Sequence, residues 1–148
     1  MKGFKNMNKR MRIDYPSTRL AVIDYMEEYH LLKFKLKEEY LPKVTSEYKL
    51  VFSFGNKISS PVETAVEKRI ELESELKRYM DEMQEAFNRL SIEERQYLYY
   101  KFFSQPNGFM LDDDVQEKML LALRGFKRTK EHAYKKFAIM LNIEVYKK

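Results

Sequence analysis

The sequence predicts an all-α protein in which long helices, packed as a bundle, precede a C-terminal helix-turn-helix domain. Its 148 residues include only four glycines and four prolines, while 44% are hydrophobic and 14% are aromatic. Few helix breakers and this much apolar material favour long packed helices over disorder or many short strands. Apolar residues also recur at three-and-four spacing along most of the chain, which indicates helices with one buried face.

The N-terminal part begins with a basic arm and continues as a long helix. Residues 1–12 carry five basic residues, no acidic ones and no apolar periodicity, so we expect a flexible segment. Pro16-Ser17-Thr18 is a helix start signal, with a hydroxyl available as a cap. Apolar spacing then continues to Tyr40, and Pro42 disfavours a helix beyond that point.

Residues 42–60 are predicted to be a loop, or at most a weak hairpin. Tyr48–Phe54 has strand propensity and Gly55-Asn56 is a turn signal, but no second strand is evident. Ser59-Ser60-Pro61 then starts a second long helix that continues to about Leu90. Its broad apolar stripe favours packing against the first helix, and a homodimer through this helix is the alternative.

Three further helices are predicted between residues 91 and 148. Ser91 and Glu94 have the spacing of a capping box, and the helix they open ends at the turn Gln105–Gly108. Asp112-Asp113-Asp114 should cap the next helix and complement its dipole. Gly125 is predicted to form the following turn, so that the last helix starts near Lys127–Lys130. The residues expected in the core are Ile92, Leu98, Tyr99, Phe102, Phe103, Val115, Met119, Leu120, Leu123, Ala133, Phe137, Met140 and Leu141.

Charge is distributed unevenly along the chain. The first twelve residues carry +5 and residues 124–148 carry +6, so the overall +5 leaves −6 for the middle. A basic end on an acidic middle favours a polyanion binder with a separate scaffold, and an ordinary solvated surface is the alternative. We therefore predict a scaffold over residues 1–90 and a DNA-binding domain over residues 91–148.

The predicted partner is double-stranded DNA, held by the final helix. In helix-turn-helix proteins the N-terminal part of the second helix enters the major groove. Arg128 is the first candidate for a guanine contact, because a guanidinium can donate to two acceptors on that base. Phosphate contacts are expected from the lysines of the same segment. The full predicted set is Arg124, Lys127, Arg128, Thr129, Lys130, His132, Lys135 and Lys136.

No catalytic, metal-binding or cofactor-binding pattern is present in the sequence. His30 and His132 have no sequence-local nucleophile or carboxylate, and no glycine-rich phosphate loop occurs. The chain has no cysteine, which excludes disulfides and thiolate metal sites. Without a membrane-spanning apolar run or a signal peptide, it is expected to be a cytoplasmic protein that is not an enzyme.

Four stretches together resemble the ArpU-type family of phage transcription regulators, which is related to the RinA-type activators. The stretches are Arg12–Tyr15 with Thr18–Val22, Val62–Arg69, Glu94–Gln96 with Tyr99–Phe102, and Lys136–Ala138 through Leu141–Lys147. The resemblance implies a domain similar to sigma-factor region 4, through Leu90–Gln96, and activation of late, packaging or lysis genes. The chain departs from the family pattern at Leu123–His132, where base contacts would begin.

Two other functions fit the same features. A small-terminase-like packaging component would also combine DNA binding with helical oligomerisation. A module that binds RNA polymerase or a sigma factor would use these helices without touching DNA.

Overall fold

The computed structural model describes residues 12–37, 41–52, 63–106 and 108–148, and for residues 63–66 it describes the backbone only. The described chain is mostly helical, as predicted, with one small antiparallel hairpin. Its elements are α1 (Tyr15–Lys35), the strands β1 (Lys43–Val44) and β2 (Leu50–Val51), α2 (Glu63–Asn88), α3 (Ile92–Leu98), a π-helical segment (Tyr99–Phe103), α4 (Asp112–Met119) and α5 (Leu123–Leu141).

Helix α1 begins one residue before the predicted proline and ends five residues before Tyr40. Its cap is Asp14, whose carboxylate accepts bonds from the Ser17 amide and hydroxyl, rather than Ser17 or Thr18. The helix stops because Lys37 adopts a left-handed conformation with φ 57°. The predicted end at Tyr40 is therefore wrong.

The hairpin between α1 and α2 has two-residue strands: β1 is the second strand that was not evident in the sequence, and side chains of α2 form hydrogen bonds to the backbone of β2 and of Phe52 next to it. Val44 faces Leu50 in the antiparallel register. The Asn88 side chain accepts from the Leu50 amide at 2.9 Å and donates to the Leu50 carbonyl at 3.1 Å. Gln84 accepts from the Phe52 amide at 3.0 Å. The predicted Gly55-Asn56 turn and Pro61 start lie outside the described residues.

One hydrophobic core joins the helices on both sides of the predicted boundary at residues 90 and 91. Helix α1 packs on α2 as expected, but it packs more extensively on α5. The rings of Tyr15 and Tyr134 lie 6.2 Å apart, and the Arg19 guanidinium lies 5.9 Å from the Tyr134 ring centroid. Residues at the centre of the core are Val22, Met26, Tyr29, Met83, Phe87, Leu98, Phe102, Phe103, Tyr134 and Phe137.

Helix α3 begins with the predicted capping box. The Ser91 hydroxyl accepts from the Glu94 amide at 3.2 Å, and the Glu94 carboxylate accepts from the Ser91 amide at 2.9 Å. The helix then widens into the π-helical segment, in which the adjacent Phe102 and Phe103 are both buried. Ile92, expected in the core, is 50% exposed.

The connection between the last two helices differs from the prediction. Helix α4 ends at Met119, its C-terminal cap Leu120 takes a left-handed conformation with φ 55°, and α5 starts at Leu123. Gly125 therefore lies in the first turn of α5 and not in the connection. Leu120 and Leu123, expected in the core, are 89% and 55% exposed. Phe126 is buried instead, because the helix includes the turn that the sequence prediction had assigned to the connection.

The position of Gly125 inside a helix can be tested by measuring how Gly125→Ala changes the free energy of unfolding. A Cβ added there meets no heavy atom within 4 Å, so Gly125→Ala should raise the free energy of unfolding by about 0.5–1 kcal/mol. Gly108 provides the matched control, because its φ of 79° should make Gly108→Ala destabilising by about 1 kcal/mol. Urea unfolding measures both changes. Destabilisation by Gly125→Ala would contradict the helix assignment.

Candidate nucleic-acid interface

The candidate interface is built on two consecutive helices, α4 and α5, that are joined by three residues. Helix α4 has eight residues and α5 has 19. The left-handed Leu120 turns the chain sharply, and its amide donates to the Glu117 carbonyl at 3.3 Å. The buried positions Phe126, Thr129, Ala133 and Phe137 recur at three-and-four spacing, so one face of α5 packs inward and the other is solvated.

Asp112 connects α4 to the helices on either side of it. Its carboxylate accepts from Lys130 of α5 at 2.6 Å, from Lys101 of the π-helical segment at 3.0 Å and from the Tyr97 hydroxyl at 2.9 Å. Leu111 occupies the capping position and makes no side-chain bond, so the predicted capping by the aspartates is wrong. The three aspartates do occupy the first turn, where they complement the helix dipole.

The environment of Asp112 keeps it ionised. Burial raises the pKa of its carboxyl, but the bonds from Lys130, Lys101 and Tyr97 outweigh burial and lower the pKa below its ordinary 3.8. The Tyr97 hydroxyl lies 3.1 Å from that of Tyr134, and burial raises the pKa of both phenols. This connected set of polar groups lies at the junction of α3, α4 and α5.

Glu94 and Arg95 join α3 to the elements packed around it. Glu94 is buried and accepts from Lys136 of α5 at 2.9 Å in addition to capping α3. Burial raises the pKa of Glu94, but Lys136 and Ser91 outweigh burial and lower it. The Arg95 guanidinium donates to carbonyls of Glu47, Asn88 and Leu90, so it joins the hairpin to the end of α2.

The eight residues predicted to bind DNA divide into three groups. Arg124, Lys127, Arg128 and His132 are exposed. Lys130, Lys135 and Lys136 are held by carboxylates of Asp112, Glu131 and Glu94. Thr129 is buried at 9% exposure, and its side chain belongs to the packed face of α5.

Arg124, Lys127 and Arg128 are the basic side chains of α5 that stand apart from its ion pairs. Among the described residues, none of the three forms an ion pair or a side-chain hydrogen bond. Arg124 and Arg128 are four residues apart, so they lie on the same side of α5, roughly 6 Å from each other. No acidic residue occupies the first turn of α5, and Ala122 at its cap has no side-chain acceptor. The N-terminal end of α5 is therefore a locally positive surface.

The charge of this surface contrasts with that of α2. Helix α5 contains six basic residues and Glu131, a net charge of +5, whereas α2 contains four basic and eight acidic residues, a net charge of −4. A polyanion is attracted to α5 and repelled by α2. The charge asymmetry predicted from the sequence is thus located in the fold: α5 is basic and α2 is acidic.

His30 has a packing role. Its ring is half-buried, and Nε2 lies 3.2 Å from the Phe102 carbonyl. Burial and the charge of Lys33 lower the pKa of His30 to about 4, so the ring is neutral at pH 7.

Within the described residues, no cluster of His, Asp and Glu side chains could hold a metal ion. The helices described here are each too short or too polar to cross a membrane.

Sequence reasoning missed two features of the interface. Asp112 holds three elements together, and only its pairing across the fold reveals this, because its partners are 11, 15 and 18 residues away. Arg124 was predicted to precede the last helix and instead lies within its first turn. Leu123 next to it was expected in the core, and an apolar residue there gave no sign that the helix begins before Arg124.

Comparison with known proteins finds one phage-related similarity. The chain is 27% identical over 137 residues to an uncharacterized phage-related protein of Listeria innocua, and the match covers 92% of this chain and 94% of that protein. No protein-family profile matches the chain. No solved structure matches it either.

Replacing Asp112 should loosen the junction of the three helices. Asp112→Asn removes the charge that two lysines share, so the free energy of unfolding at pH 7 should fall by about 2 kcal/mol. Because the native pKa is lowered, this stabilisation is present above about pH 5 and is lost as the pH falls through the native pKa. The difference in free energy of unfolding between the wild type and Asp112→Asn should therefore become smaller in acid.

Asp113→Asn is the control, because Asp113 lies in the same first turn, is exposed and forms no ion pair among the described residues. It should change stability by less than about 0.5 kcal/mol. Urea unfolding at pH 7 and at about pH 3.5 measures both variants. Equal effects of the two substitutions would contradict the assigned role of Asp112.

Proposed function

We propose that this chain is a phage- or prophage-encoded transcription regulator that binds double-stranded DNA through α4 and α5, acting as a helix-turn-helix pair. The observation that carries the proposal is the group Arg124, Lys127 and Arg128 at the exposed start of α5. Basic side chains that are free of carboxylates at that end are what a helix needs to enter a negatively charged groove.

The dimensions of α5 suit the major groove. An α-helix with its side chains is about 10–12 Å across, and the groove is about 12 Å wide. Arg124, Arg128 and His132 succeed one another at four-residue spacing, so they form one stripe along the exposed side. Arg128 is assigned to a guanine edge and Lys127 to a phosphate.

The remaining basic residues of α5 have other assignments in this proposal. Lys130 and Lys136 hold the helix to Asp112 and Glu94, and Thr129 packs inward. Lys135 pairs with Glu131 at 3.0 Å near the surface, and a phosphate could replace that partner. Direct contacts therefore concentrate on the first two to three turns of α5.

The similarity to the Listeria phage-related protein supports a phage origin. The resemblance to ArpU-type regulators contributes the finer parts of the proposal: activation of late, packaging or lysis genes, RNA polymerase as a second partner, and action in the bacterial cytoplasm without catalysis or a cofactor. The Leu90–Gln96 motif, on which the likeness to sigma-factor region 4 depends, includes the cap and the first five residues of α3.

The proposal predicts a charge-specific weakening of DNA binding. Replacing Arg124 and Arg128 by glutamine should weaken binding to a short fluorescein-labelled duplex at least tenfold at low salt. The slope of log K against log salt concentration should fall in magnitude by roughly 0.9, for the one phosphate that Arg124 neutralises, because Arg128 is assigned to a base edge. Fluorescence anisotropy over a range of KCl concentrations measures both quantities.

Lys68→Gln with Lys77→Gln is the matched control, because both lysines are exposed on α2 and the change in net charge is the same. This control should leave the slope unchanged. Equal weakening in the two double variants would mean that only overall charge matters. A wild-type protein that does not bind duplex DNA would contradict the proposal itself.

A further inference from the structure

Two exposed leucines lie beside the basic residues at the start of α5. Leu120, the C-terminal cap of α4, is 89% exposed, and Leu123, the first residue of α5, is 55% exposed. Arg124 follows Leu123 directly, and Lys127 lies four residues beyond it on the same side of the helix. Among the described residues, no large apolar side chain is more exposed than Leu120. We call Leu120 and Leu123 the leucine pair.

The connection that carries the leucine pair is held in one conformation. The Leu120 amide donates to the Glu117 carbonyl at 3.3 Å, and the Gln116 side-chain amide donates to the Leu121 carbonyl at 3.2 Å. Val115 of α4 and Phe126 of α5 are buried, so the helix on each side of the connection is anchored in the core. The exposure of the leucine pair is therefore fixed by packing and hydrogen bonds around it.

Leu120 contradicts two local preferences at once. A left-handed residue at the end of a helix is usually glycine or asparagine, because a Cβ is strained in that conformation. Leu120 adopts φ 55° there, and its side chain gains almost no burial in return. A residue that breaks a local rule without a gain in packing is expected at a functional surface.

Cations border the leucine pair on both helices. Lys118 is exposed in the last turn of α4, and Arg124 and Lys127 are exposed in the first two turns of α5. The Glu117 side chain is exposed there too, whereas the three aspartates of α4 lie in its first turn, at the other end. An apolar spot between cations fits a partner that is anionic and also presents apolar groups. The C5-methyl group of thymine, in a major groove lined by phosphates, is such a group.

We propose that the leucine pair packs against thymine methyl groups, so that the protein prefers duplex sites with thymine close to the guanine that Arg128 reads. The inference rests on the proposed function and adds a sequence preference to it. Leu123 and Arg128 are separated by about 7.5 Å along the helix axis. This is roughly two base-pair steps of about 3.4 Å, so the thymine is expected within about two base pairs of the guanine.

The methyl group is what distinguishes thymine for a leucine. A leucine side chain neither donates nor accepts a hydrogen bond, so it cannot satisfy the amino and carbonyl groups that the other bases present in the groove. Covering a methyl group removes apolar surface from water instead, which should strengthen binding by about fourfold for each methyl group covered.

Deoxyuridine tests the inference, because it differs from thymidine only in lacking the C5-methyl group. Duplexes that the wild-type protein selects from a randomised library would be synthesised in two forms, one with thymine and one with uracil at every thymine position. Wild-type protein should bind the thymine form at least about fourfold more tightly in fluorescence anisotropy. Leu123→Ala should lower that ratio to less than about twofold, because most of the apolar contact is removed.

Leu20→Ala is the matched control, because Leu20 is a leucine of similar exposure, 58%, on α1. It should keep the wild-type ratio. Leu120→Asn provides a second variant, which should also lower the ratio. Because asparagine tolerates the left-handed conformation, this variant should be at least as stable as the wild type in urea unfolding. Unfolding cannot explain a thymine preference that is lost without a loss of stability.

Equal wild-type affinity for the two forms would overturn the inference. A thymine preference that both leucine variants retain would overturn it as well, and so would selected sequences without thymine. A leucine pair that docks on another protein instead of DNA would give one of these results. If Arg124→Gln with Arg128→Gln weakens binding in such a case, the proposed function stands without the thymine preference, and absence of duplex binding overturns both.

Discussion

The arrangement of the C-terminal helices depends on the single carboxylate of Asp112. Lys101, Lys130 and Tyr97 approach it from the π-helical segment, from α5 and from α3, so one residue at the start of α4 fixes three neighbours. Two ammonium groups share one carboxylate, so the three groups together carry a net charge of +1. The buried face of α5 sets the rotation that exposes Arg124 and Arg128, and the pair between Lys130 and Asp112 attaches that helix to α4.

The helical class, the capping box at Ser91 and most core positions followed from apolar spacing and local chemistry. The connection before α5 did not, because its left-handed residue is Leu120 and a large side chain seldom adopts positive φ. Gly125 was the natural candidate for that conformation, yet it lies in the helix. The hairpin was equally hard to predict, since the Asn88 side chain, 38 residues away, replaces a third strand.

The candidate interface shows the same limit of sequence reasoning. The sequence supplied the number of basic residues in α5, but the fold determines which of them are free to meet an anion. Lys130, Lys135 and Lys136 each have a carboxylate partner, and these partners lie on α4, on α5 itself and on α3. Arg124, Lys127 and Arg128 are left for DNA in our account.

Site-directed photo-crosslinking tests most directly whether α5 meets DNA, and the absence of cysteine in the chain makes it practicable. His132→Cys places a probe on the exposed stripe of α5 without removing a lysine or arginine, and Lys77→Cys places it on α2. Each protein would carry the same short photoreactive group and the same saturating duplex. Our account predicts cross-linking from position 132 and none from position 77, and the opposite pattern would contradict it.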